Sequence, residues 1–164
     1  MQLSDCRALI TGASGGIGQA LVERLCQGGA KLLLAGRQLA PLEGLVQRFP
    51  GQVELVCADI TVAGGREAVL AAARRFGGMN TLINAAGVNR FSLLEQHDEA
   101  DIAALIGLNV TATLQLTHRL LPLLRHQGRA LVVNLGSTFG SIGYPGFSAY
   151  CDIKFALRGF SEAL

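Results

Sequence analysis

The stretch YCDIK sets Tyr150 four residues before Lys154 in a chain that has two tyrosines and one other lysine, Lys31. On a helix, residues at this spacing share a face, so a phenol and an ammonium would converge on one cleft. A free phenol titrates near pH 10 and is a poor acid or base at neutral pH. One positive charge ~4 Å away, at an effective dielectric of about 20, is worth about 4 kcal/mol. That corresponds to about three pH units of acidity, enough to poise a phenol for proton transfer. The alternative is an ordinary pair on a helix surface. Ser137, thirteen residues before the tyrosine, ends an apolar run in LGSTFG and adds a hydroxyl at the same side of the fold.

A second group of residues could hold phosphates. TGASGGIG places glycines at 12, 16 and 18, between an apolar run and an amphipathic segment. Glycines there permit unusual φ, close approach of backbone to a pyrophosphate, and tight packing of the following helix. The helix start offers free N–H groups to the phosphates. Gln19 stands where an ATP- or GTP-binding loop needs its lysine, which excludes that reading. In LLLAGR the position for a ribose-binding carboxylate is Gly36, followed by Arg37. A guanidinium suits a 2′-phosphate, which favours NADP over NAD. Asp59 in CADIT could bind an adenine amino group or cap a turn. INAAG brings Asn84, which can fix backbone and ribose groups, and small residues that leave room beside it.

Apolar runs at 6–11, 31–36, 53–58, 81–86 and 129–136 alternate with amphipathic segments at 16–28, 39–49, 63–76 and 98–124, and another opens near 148. Five strands, each followed by a helix, predict an α/β fold: a Rossmann-type doubly wound parallel sheet with helices on both faces. Residues 1–164 contain no linker, repeat or low-complexity stretch and are expected to form one dinucleotide-binding domain.

Composition agrees. Hydrophobic residues make up 50% and charged residues 16% of the 164, with mean hydropathy +0.39. Strands buried on both faces would produce such a bias, as would apolar surface meant to be covered. A net charge of +2 with scattered arginines lacks the clustered basic face of a nucleic-acid binder; Arg74-Arg75 reads as a solvated helix end. The run 104–124 carries Asn109, Gln115, His118 and Arg119 and reads as a buried helix, not a membrane span. Cys6, Cys26, Cys57 and Cys151 have neither C-x-x-C nor metal-ligand spacing, so no metal is expected. Cys6, Cys26 and Cys57, in or beside apolar runs, are expected to act as small buried hydrophobes. Reduced thiols imply a cytoplasmic setting.

Taken together, the ordered set Thr11-Gly12-x-x-x-Gly16-x-Gly18, Asp59, Asn84-Ala85-Ala86-Gly87, Asn109, Ser137 and Tyr150-x-x-x-Lys154 resembles the short-chain dehydrogenase/reductase family along the whole chain. In appearance it is most similar to the 3-oxoacyl-carrier-protein reductases. The resemblance implies an NADP(H)-dependent oxidoreductase that interconverts a ketone and a secondary alcohol; a non-catalytic NADP(H)-binding module is the alternative. It implies that Tyr150 exchanges the proton, Ser137 orients the carbonyl, and Lys154 tunes Tyr150 and holds the nicotinamide ribose. Asn109 would bend its helix and bind a relay water. Gly12, Ser14, Gly16, Ile17, Gly18, Arg37, Asp59, Ile60 and Asn84 to Gly87 would contact the cofactor, with Tyr150 and Lys154. The implied partners are a small carbonyl or alcohol substrate and further copies of the chain, as a homodimer or homotetramer of the full-length protein, with neither nucleic acid nor membrane. Three departures stand out. Ala85 replaces a second asparagine that braces the family's sheet, and Gly15 replaces a second basic residue of many NADP-preferring members. Family members also continue beyond the helix of the Tyr-Lys pair with two strands and a substrate lid, so the 164 residues are expected to be part of a longer protein.

Overall fold

A computed structural model describes residues 2–164. Five parallel strands, β1 (Arg7–Thr11), β2 (Lys31–Gly36), β3 (Val53–Cys57), β4 (Thr81–Asn84) and β5 (Leu131–Asn134), form one sheet in the order β3-β2-β1-β4-β5. The chain first winds outward from β1 to β3, then returns to lay β4 on the other side of β1. This reversal opens a crevice at the carboxyl ends of β1 and β4, where ligands sit in open α/β sheets.

Alternation along the strands builds two cores. Leu9, Leu33 and Leu82 point to the face covered by α3 (Ala63–Phe76) and α5 (Thr113–Arg125). Ala8, Ile10, Leu34 and Ile83 point to the face covered by α1 (Gly16–Gln27) and α2 (Ala40–Arg48). Both sets are buried, which explains runs apolar at every position. A smaller cluster of Leu105, Ile153 and Leu157 joins α4 (Glu99–Ile106) to α6 (Ser148–Ala163). β5 forms one edge of the sheet, with Leu131 47% exposed.

Three expectations are corrected. The strands expected at 81–86 and 129–136 end at Asn84 and Asn134. Beyond Asn84 the chain leaves the ladder to line the crevice, and the Ala86 N–H donates instead to Thr11 Oγ1 at 3.1 Å. The helix expected at 98–124 is three pieces: α4, a π-helical segment at Gly107–Ala112, and α5. The cause is Asn109, whose Nδ2 donates to the Leu105 carbonyl at 2.8 Å and so enters the helix's own hydrogen-bond ladder. Together the three pieces, Glu99–Arg125, are long and apolar enough to cross a membrane. Here Leu105, Leu116, Leu120 and Leu124 are instead buried in the two clusters on that side. Cys6, Cys26 and Cys151 are buried, whereas Cys57 is exposed at the end of β3, where the ladder stops and the chain turns toward Asp59.

Candidate active site

The glycine loop divides its glycines between two jobs. Gly12 has φ +72°, and a Cβ there would lie 2.5 Å from the Ala86 nitrogen. A Cβ on Gly18 would lie 2.3 Å from the Gly12 carbonyl oxygen, so this glycine lets α1 pack onto the loop. Gly16 at the helix start faces open space. That is the room a pyrophosphate needs against free backbone N–H groups.

Beside this loop a cavity of about 240 Å³ is lined by Gly12, Ser14, Arg37, Asp59, Ile60 and the segment Ala85–Gly87, among others. Arg37 is exposed at its border, and no carboxylate stands at the end of β2. Asp59 Oδ1 accepts from the Thr61 hydroxyl at 2.6 Å and the Thr61 N–H at 2.9 Å. These two bonds, helped by the Arg37 charge, hold its carboxyl below the ordinary aspartate range. The turn-capping role left open for Asp59 is thus seen at one oxygen.

A second cavity, of about 450 Å³, is lined by Ile17, Asn84 to Gly87, Asn109, Tyr150 and Lys154, together with residues from the end of β5. Tyr150 and Lys154 lie on the first turns of α6, and Asn109 on the π segment. Lys154 is 7% exposed, and its Nζ donates to the Leu135 carbonyl at 2.7 Å, 5.4 Å from the centroid of the Tyr150 ring. Burial pushes its pKa down from 10.5. Asn109, 1% exposed, is clamped: Oδ1 accepts from the Val88 N–H at 3.2 Å, and Nδ2 donates to the Val88 and Leu105 carbonyls. Gly87 must be glycine for this, because a Cβ would stand 2.5 Å from Asn109 Oδ1.

Two expected site residues have side chains tied by hydrogen bonds within the protein. Asn84 lines the cavity, and its amide donates to Thr117 Oγ1 at 3.0 Å and Asn134 Oδ1 at 2.9 Å. It therefore ties β4 to β5 and α5, bracing the sheet where Ala85 has no side chain to do so. Asn134 continues the chain to Ser161 on α6 at 2.9 Å; a polar residue closing the apolar run LVVN was the sequence signal for it. Ser137 does not line the Tyr150 cavity. Its Oγ accepts from the Phe139 N–H at 3.2 Å, and it borders an adjoining groove that shares Gly136 and Lys154 with that cavity. Phe139 and Phe147 pack at a tilt, Phe139 meets Tyr150 edge to face and Phe147 meets it at a tilt, with centroids 4.9–6.3 Å apart, and Phe91 packs on Phe147 at 4.9 Å. These rings form an apolar wall beside the tyrosine.

Known proteins share this fold. Residues 7–164 match the family described as short chain dehydrogenase. An uncharacterized oxidoreductase of Staphylococcus saprophyticus is 34% identical over 164 residues, covering 99% of this chain and 67% of that protein. The 3-ketoacyl-(acyl-carrier-protein) reductase of Brucella melitensis, solved with NADH, superposes with a TM-score of 0.92 at 28% identity, covering 98% of this chain and 69% of that one. A metagenomic short-chain oxidoreductase solved with NADP superposes with a TM-score of 0.90 at 28% identity, covering 98% and 75%. The chain belongs to the short-chain dehydrogenase family, a family of oxidoreductases that use NAD or NADP. It spans about two thirds of the length of the curated relative it matches.

Proposed function

We propose that the full-length protein is an NADP(H)-dependent oxidoreductase that interconverts a ketone and a secondary alcohol. The observation that carries this is one cleft at the carboxyl edge of the sheet, lined by Asn109, Tyr150 and Lys154 and adjoining the groove of the glycine loop through Ala85–Gly87. A nicotinamide held beside Tyr150 and Lys154 would supply or take up the hydride. Tyr150 gives a proton to the substrate oxygen, or receives it in the reverse direction. Lys154, partly desolvated on the face that Tyr150 shares, favours negative charge at the phenol oxygen. Arg37, with no acid at the end of β2, would bind a 2′-phosphate and so select NADP. Ser137 would polarise the carbonyl after rotating from its turn. The apolar wall of Phe91, Phe139 and Phe147 suits a substrate with an apolar portion. Four unpaired cysteines support a reducing, cytoplasmic setting, and the full-length protein would form a dimer or tetramer.

NADPH oxidation over a ketone panel tests the reading. Tyr150→Phe is expected to lower turnover by about a hundredfold or more while leaving NADPH affinity in place, and Arg37→Glu to remove the preference for NADPH over NADH. Turnover by Tyr150→Phe at the wild-type rate would sink the assigned acid. The side-chain bond of Ser137 to its own turn favours a second reading, a non-catalytic NADP(H)-binding module. NADPH binding with no turnover on any carbonyl would select it.

A further inference from the structure

Helix α3 buries Arg66 together with Val69, Leu70, Ala73 and Phe76, one stripe at helical spacing. An arginine in such a stripe is expensive unless its charge is paired. Arg66 is 8% exposed, yet none of the ion pairs among the described residues includes it. Nη1 donates to the Ile60 carbonyl at 2.7 Å. Nε is buried and has no partner, and Nη2 makes no hydrogen bond among the described residues. The donors left without a partner are Nε, which is buried, and Nη2, which can still donate to an anion.

Arg66 lines a cavity of about 380 Å³ between α3 and α5, shared with Leu114, Gln115, His118 and Arg119. None of these residues lines the two cavities of the candidate active site. Gln115 brings an amide donor, His118 an imidazole and Arg119 a second guanidinium. The Arg119 charge is partly answered by Glu67, whose Oε2 lies 2.7 Å from its Nη1. The Arg66 charge has no such answer. Because Nε lies beneath the surface, contact from the cavity falls to Nη2.

We infer that this cavity is a binding site for a small oxyanion, carboxylate or phosphate, with Arg66 as its counter-charge and Gln115, His118 and Arg119 at its rim. The site is independent of the proposed catalytic reading and would hold if that reading failed.

Inorganic phosphate and, separately, acetate would be titrated into ¹⁵N-labelled protein, with ionic strength matched by chloride. The expected result is saturable shifts at the amides of residues 66–67 and 114–119. Arg66→Met should weaken them at least about tenfold, or about 1.4 kcal/mol. Any shifts in the glycine loop at 12–18 should survive that substitution, which separates this site from the cofactor groove. Gln115→Ala, at an exposed position, is a second variant that keeps the fold and should weaken binding severalfold. A stronger response to phosphate assigns a phosphorylated ligand, and a stronger response to acetate a carboxylate. Shifts no larger than chloride produces would overturn the site. So would shifts unchanged in both variants, or shifts that follow protein concentration without added anion, since the cavity would then be filled by a second copy.

Discussion

Two buried cations, one on α3 and one on α6, have similar exposure and bonding and different prospects. Lys154 in the cleft is 7% exposed and Arg66 between α3 and α5 is 8% exposed. Each donates once, at 2.7 Å, to a backbone carbonyl, and neither has a carboxylate partner. Lysine has an exit, because burial lowers its pKa and it can release its proton. Arginine has none in the physiological range, so its surroundings must be met by an anion from outside or endured. Similar burial thus yields a tunable group in one place and a fixed charge in the other.

The comparison can be broken first at the lysine. Lys154→Met is expected to lower ketone turnover in the full-length protein by about a hundredfold or more. Lys154→Arg should fail to restore it, since an arginine cannot take a titrating role. Near-normal rates in Lys154→Arg would show that only the charge matters. Next come the glycines beside each site. A Cβ on Gly65, the residue before Arg66, would sit 1.8 Å from the Asp59 carbonyl oxygen, and one on Gly87 would sit 2.5 Å from Asn109 Oδ1. Alanine at either should destabilise by about 1–3 kcal/mol in urea unfolding, with Gly65 the worse because backbone cannot yield. Arg66→Met, measured without added anion, should stabilise by about 1 kcal/mol, because an unpaired buried charge gives way to an apolar side chain of similar length.

The smallest effect is a slope. Below 10.5 and above its lowered value, Lys154 is more protonated in the unfolded chain than in the folded one, so stability rises with pH across that window. The difference between wild type and Lys154→Met should therefore change as the pH is raised through it. The Arg66→Met difference should stay flat.

Much of this was legible beforehand, for reasons that particular residues make plain. The LLLA of KLLLAG is apolar at every position because both faces of the sheet are covered, and β2 lies where that pattern set it. Gly12, Gly16 and Gly18 were recognisable because their spacing answers a local backbone demand. Arg66 was not singled out, although its helix was expected at the observed residues. Charge is normally evidence for a solvated face, and here it falls on the buried stripe. Asn84 was legible as a residue of the cleft, which it lines, but its amide partners, Thr117 and Asn134, were not, because they are 33 and 50 residues away and come together only in the folded sheet.

The π segment at Gly107–Ala112 fixes a phase relation between the two ends of its helix. Each residue of an α-helix advances about 100° around the axis. Because i→i+5 bonding takes one more residue into the turn, reverting this segment to α-helix at unchanged length would swing Leu116, Leu120 and Leu124 out of the sheet core by about that angle, relative to α4. Length here acts as a key cut to one pattern of teeth. A one-residue deletion within this stretch would be absorbed as unbroken α-helix with α5 left in phase, whereas a deletion inside α5 would turn the rest of that helix against its lock.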